Sequence, residues 1–187
     1  HVAGAGAARA TLDAVEMAYG GLTISDAPLT DLAHSDIIEP SDIARYAALG
    51  VVAELSPAIW HLGDVEGFEI VNEWFPFSSL AQAGVHITMG SDWILPPDPN
   101  LFPALEGAVT RPKESISLEF AIDTMTRNGA KAVGRDAWSG SLERGKHANL
   151  IVLDRNLFAV APTDVGETKV LMTVFEGQPV YVAPDTP

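Results

Sequence analysis

The sequence predicts an α/β fold in which about four strand–loop–helix units make half of a (β/α)8 barrel, followed by a small β unit. Three observations carry this. Short apolar runs at residues 51–55 and 85–89 alternate with segments of helical periodicity, the order that builds parallel sheets. A complete (β/α)8 barrel takes roughly 250 residues, whereas the α/β pattern here stops near Trp138, which leaves room for half of one. Beyond Trp138 the signals change to turns and a hairpin. The chain therefore divides into residues 1–138, the partial barrel, and residues 139–187, a small β subdomain.

In order along the chain, residues 7–18 place Ala8, Leu12, Val15, Met17 and Ala18 on a helical period, closed by Gly20-Gly21. Residues 22–33 are ambiguous, with a short extended segment expected just before His34. Pro40-Ser41-Asp42 opens a helix running to Leu49, with Ser41 as N-cap and Gly50 as stop. Residues 51–55 read as a strand ended by Ser56-Pro57. Residues 71–83 read as a helix weakened by Pro76 and stopped at Gly84, before the strand at 85–89. Helices are expected at 103–109, at 118–125 with Ser117 as cap, and at 130–133. Gly140 to Gly145 forms a turn, 149–153 reads as a buried strand, and 169–175 pairs with 179–182 across Glu176-Gly177.

Of the 187 residues, 47% are hydrophobic and 19% charged, a balance that supports a globular core. No apolar run approaches the ~20 residues of a membrane-spanning helix. The absence of cysteine excludes disulfides and thiolate metal sites, so any metal would need His and carboxylate ligands. The net charge of −14 is uneven: residues 1–93 hold 13 acids against 2 bases, residues 94–187 hold 12 against 9. Such a chain repels phosphate backbones and anionic lipids, so neither nucleic acid nor membrane is an expected partner. There is no phosphate-binding loop and no Gly-x-Ser-x-Gly elbow. The opening His1-Val2-Ala3-Gly4-Ala5-Gly6 shows neither an initiator Met nor a signal-peptide pattern, and reads as a chain cut from something longer.

The segment Gly90-Ser91-Asp92-Trp93 follows the apolar run 85–89 and precedes a Pro-rich loop with Pro96, Pro97 and Pro99. In a parallel barrel the carboxyl end of a strand faces the active site, so Asp92 reads as catalytic or metal-binding. The competing reading is a turn or helix cap, a common use of Asp.

Taken together, His1-Val2-Ala3-Gly4-Ala5, Leu32-Ala33-His34, Gly90-Ser91-Asp92 and residues 140–149 (Gly-Ser-Leu-Glu-Arg-Gly-Lys-His-Ala-Asn) resemble the amidohydrolase superfamily, in particular its amidohydrolase 3 group with the N-substituted formamide deformylases. The likeness covers the whole chain but only the last third or so of a family member. It implies a TIM barrel flanked by a β-sandwich, whose C-terminal strands are the tail here. It also implies a divalent metal, Zn²⁺ above all, and hydrolysis of an amide-type C–N bond in a small molecule by metal-activated water. His1, His34 and Asp92 carry over as metal ligands, with Asp92 also taking the proton from the attacking water. Trp93, beside Asp92, is the candidate substrate-binding residue, against the commoner fate of core packing.

Departures from the family pattern limit this. Ala5 and Ala33 stand where the family has Asp and Glu, and the His-x-His of the first barrel strand and the fourth-strand ligand are missing. The chain alone is therefore expected to be inactive and to bind metal weakly or not at all. It is also expected to self-associate or to need the missing N-terminal part. The alternative is a non-catalytic association or regulatory module derived from an amidohydrolase. His61 and His86 read as loop or satisfied strand histidines and His147 as surface. Trp60 and Trp74 read as core, and the loop at Leu101-Phe102-Pro103 as a pocket wall.

Overall fold

The computed structural model describes residues 1–20, 29–56, 74–93 and 99–184. Expectations for Gly21, Trp60, His61, residues 71–73 and the loop at Pro96 and Pro97 fall outside the described residues.

Three parallel strands, β1 (Asp31–Leu32), β2 (Val52–Leu55) and β3 (Ile87–Met89), form a sheet in the order β1-β2-β3. Leu32 aligns with Ala53, and Ala53 with Ile87. The N-terminal segment extends this sheet. Val2 bridges His34 in parallel, and its N–H donates to the Ala33 carbonyl at 2.8 Å. Four chain segments thus run the same way, the α/β arrangement the sequence predicts.

Side chains alternate across a sheet, and here the alternation separates core from site. Leu32, Ala53, Leu55, Ile87 and Met89 lie on one face and are buried. They pack with Leu12 of α1 (Ala5–Tyr19), Tyr46 of α2 (Pro40–Leu49), Leu80 of α3 (Phe77–Gln82), Leu105 of α4 (Phe102–Thr110) and Ala121 of α5 (Leu118–Met125). Each large side chain removed from water in this way contributes about 1.5–3 kcal/mol. The opposite face carries Asp31, Glu54 and Thr88. Between α1 and α2, the buried carboxylate of Asp42 is satisfied by Arg9 at 2.8 Å and Arg45 at 3.3 Å.

The outer edge of β3 is covered from α6 (Arg127–Ala132): Asn128 donates from its side-chain amide to the Ile87 carbonyl at 2.9 Å. The Asn128 carbonyl accepts from His86 Nε2 at 2.9 Å, so His86, one residue before β3, is a satisfied histidine with its proton on that nitrogen.

The tail forms an antiparallel sheet, β4 (Leu150–Leu153), β5 (Val170–Phe175) and β6 (Gln178–Val182), in that order. Phe175 pairs with Gln178, so Glu176-Gly177 is a two-residue hairpin turn. Both have positive φ, 48° and 79°, as the turn that follows strand twist requires. A 3-10 helix, Pro162–Glu167, returns to α4, where Val165 is fully buried and the Gly166 N–H donates to Glu106 at 2.7 Å.

Several expectations are corrected. Ser41 is not the cap of α2: Pro40, whose fixed φ suits the first helical position, starts the helix one residue earlier, with Glu39 at the cap position. Within the expected 71–83 helix, residues 74–76 are not helical and α3 starts at Phe77, because Phe75, held before Pro76, adopts φ 60°. Leu101-Phe102-Pro103 is not a pocket loop, since Phe102 opens α4 and is buried in the core. The strand at 149–153 is not buried: Ile151 is 48% and Val152 42% exposed, and β5, with which they pair, is itself only partly covered.

Candidate functional site

His34 follows β1, and Asp92 follows β3 after Gly90-Ser91, so parallel strands deliver both to the same edge of the sheet. His1 reaches that edge through the Val2–His34 bridge. The sharp exits need unusual backbone. His34 has φ 75°, Ser35 φ 39° and Asp92 φ 46°, a region that residues with a Cβ enter only when surrounding contacts hold them. Around His34 those contacts are visible. The buried Ser35 hydroxyl donates to the Leu32 carbonyl at 2.8 Å and meets the Tyr46 hydroxyl at 3.1 Å.

The His1 and His34 rings meet edge to face, with centroids 4.2 Å apart, and their Nε2 atoms are 2.9 Å apart. The Nδ1 of His34 faces Asp92 Oδ2 at 3.9 Å, longer than a hydrogen bond. The three groups therefore form a row with His34 in the middle, one ring nitrogen toward each neighbour. Among the described residues, no group of three or more His, Asp or Glu side chains is arranged around one ion. Two nitrogens on a tetrahedral zinc at 2.0–2.1 Å lie about 3.3 Å apart. The facing Nε2 atoms, 2.9 Å apart, stand a few tenths of an ångström closer than that. A carboxylate beside the other nitrogen of a ligating histidine is the usual means of orienting such a ring.

Trp93, the candidate substrate-binding residue, is 61% exposed, and its N–H donates to the Ser91 hydroxyl at 3.3 Å. It is a surface group at the site edge and not part of the core. Trp74 packs against the core as expected. His147 is exposed and lies 3.5 Å from Glu176.

The sequence reading passed over two acids here. Glu54, on β2, projects from the sheet face opposite the helices. Burial pushes its carboxyl above the usual range, Asp31 and Asp92 add to this, and His34 opposes it. A Cβ on Gly90 would come within 2.8 Å of Glu54 Oε1, so the glycine makes room for the carboxylate. The available signal was an acid inside the apolar run Val51-Val52-Ala53-Glu54-Leu55. Asp31 lies on the same face, and burial raises its carboxyl too, against lowering by His86.

A family model described as the amidohydrolase family matches residues 1–181, and the chain belongs to that family. It is 31% identical over 170 residues to the N-substituted formamide deformylase of Arthrobacter pascens, covering 78% of this chain and 30% of that protein. In fold it is similar to a zinc-bound adenosine deaminase from Xanthomonas campestris, with a TM-score of 0.63, 21% identity, and coverage of 81% of this chain and 37% of that one. A mutant atrazine chlorohydrolase from Arthrobacter aurescens, complexed with zinc and atraton, gives a TM-score of 0.62 at 21% identity, covering 80% of this chain and 35% of that one. The chain thus spans between 30% and 37% of the length of these relatives.

Proposed function

We propose that this chain is the C-terminal portion of a metal-dependent amidohydrolase that cleaves an amide- or formamide-type C–N bond in a small molecule. Residues 1–138 supply the second half of a (β/α)8 barrel, with its interior on the Glu54 face, and residues 139–187 the last strands of a flanking β-sandwich. The observation that carries this reading is the row His1, His34, Asp92 at the carboxyl edge of a parallel sheet. Catalytic groups of barrels gather at that edge.

His1 and His34 would hold a divalent metal, Zn²⁺ by its preference for imidazole, through their facing Nε2 atoms, with Asp92 beside them. Such an ion supplies Lewis acidity, polarising a carbonyl and acidifying water toward neutral pH. Asp92 would take the proton of the attacking water and return it to the departing nitrogen, which requires its carboxylate to turn toward the ion from the Nδ1 side of His34, where it lies 3.9 Å away. Trp93 offers an aromatic surface to the substrate at the site edge. The remaining ligands come from the part of the protein that precedes His1, so the chain alone binds metal weakly and is inactive. The acidic chain takes no nucleic acid.

The test uses the full-length protein. Amide and formamide substrates are assayed before and after chelation, with His34→Ala and Asp92→Asn variants. Loss of turnover in the chelated protein and both variants supports the reading, and turnover that survives chelation and His34→Ala overturns it. A non-catalytic role would be favoured by Ala5 and Ala33, which replace the Asp and Glu of the family pattern. An in-frame His-x-His upstream in the coding sequence decides for the enzyme.

A further inference from the structure

Asp36 is a charged residue only 8% exposed, two positions beyond His34. Its Oδ1 accepts two backbone N–H groups. One comes from its neighbour Ile37 at 2.8 Å, which folds the loop back on itself. The other comes from Gly4 at 2.9 Å, in the segment that begins with His1. Its carbonyl accepts a third N–H, from Phe75 at 2.6 Å, ahead of α3. One residue thus ties together the His1 segment, the loop after His34 and the approach to α3.

Gly4 precedes α1, whose first turn has no acidic residue and no side-chain cap. Asp36 Oδ1 meets the N–H of Gly4, the residue at the cap position of α1. Gly4 itself has φ 89°, with nothing within 4 Å of where a Cβ would stand. Its glycine is required by backbone conformation and not by crowding. Beyond the Val2–Ala33 hydrogen bond, the Gly4–Asp36 bond is a further backbone tie between the two histidine-bearing segments.

We infer that Asp36 is the positioning residue for the paired imidazoles: by bonding Gly4 and Ile37 through one oxygen, it sets how far apart His1 and His34 stand. This rests on the proposal that the pair holds a metal. Asp36 touches neither ring and acts through the backbone. Asn at this position keeps an oxygen for both N–H groups, whereas Ala leaves both unpaired.

The test is Co²⁺ binding to the full-length protein by competition with a chromophoric chelator, together with the visible spectrum of the bound ion, which reports ligand geometry independently of turnover. Asp36→Ala should weaken Co²⁺ binding about 10–100-fold, the range for residues that support ligands, and alter the spectrum. Asp36→Asn should restore both nearly to the wild type. Wild-type affinity and spectrum in Asp36→Ala, with binding lost in His34→Ala, overturn this inference and leave the metal reading intact. Unchanged binding in His34→Ala overturns both. If Asp36→Ala does not fold, Asp36→Glu decides. It keeps the charge but displaces the oxygen by one methylene, so an altered spectrum supports the inference and a wild-type spectrum overturns it.

Discussion

Gly90 stands so close to Glu54 that a single added Cβ would lie 2.8 Å from the Glu54 carboxylate. A residue of the Gly-Ser-Asp segment is thus moulded around an acid on the neighbouring strand β2, and that acid lies within electrostatic range of His34 and Asp92. Gly90→Ala should push the Glu54 side chain aside. In the full-length protein this should perturb the site more than the fold.

Glu54 should also shape the pH dependence of stability. Burial raises its carboxyl in the folded chain, so folding favours the protonated form. Its contribution is therefore most favourable below the unfolded value near 4.5 and is lost as pH rises through the folded value. Glu54→Gln, which never ionises, should remove this dependence and melt above the wild type at pH 7, with the difference vanishing near pH 4. Thermal unfolding at the two pH values checks it, and a variant less stable at pH 7 than the wild type contradicts it.

The Ser35–Tyr46 pair gives a second prediction. Ser35 spends its only proton on the Leu32 carbonyl, so the Tyr46 hydroxyl must be the donor between the two. Tyr46→Phe keeps the ring and leaves one acceptor unfilled, at a cost of about 1 kcal/mol. Tyr46→Ala opens the core at a fully buried position and should cost about 3–5 kcal/mol. Urea denaturation of the two variants separates hydroxyl from ring.

Ser117 caps α5, its hydroxyl accepting the Phe120 N–H at 3.2 Å. Ser117→Ala should cost about 1 kcal/mol, which for a chain of this size lowers Tm by roughly 2–4 °C. Ser41→Ala, in a helix whose start its side chain does not cap, should lose less of the capping term, and calorimetry on both variants tests the contrast.

Association is the fourth prediction. Phe175, Val180 and Val182 of the tail sheet are each at least half exposed, and apolar side chains exposed together on one sheet favour association. The 187-residue chain should gain mass with concentration in analytical ultracentrifugation, and Val180→Lys should reduce the gain. A monomer at every concentration would show that the net charge of −14 outweighs the apolar face.

What the sequence determined by itself was local. Helical periods around Leu12 and Tyr46, the stop at Gly50 with its left-handed φ of 64°, the cap at Ser117 and the two-residue turn at Glu176-Gly177 are set by neighbours in the chain, so they were legible there. So was the delivery of His34 and Asp92 to one sheet edge, because parallel strands that each end in a polar residue must place those ends together. Contacts between distant segments were not legible. Nothing near Asp36 announces that its carboxylate will bind Gly4. Nothing near Glu54 announces that Gly90 will make room for it. The exposure of β4, whose composition promised a buried strand, follows from what packs over it. Period and propensity act over a few residues, whereas burial, ring-to-ring approach and the shift of a carboxyl depend on which segments the fold brings within a few ångströms. Only the tertiary structure decides that.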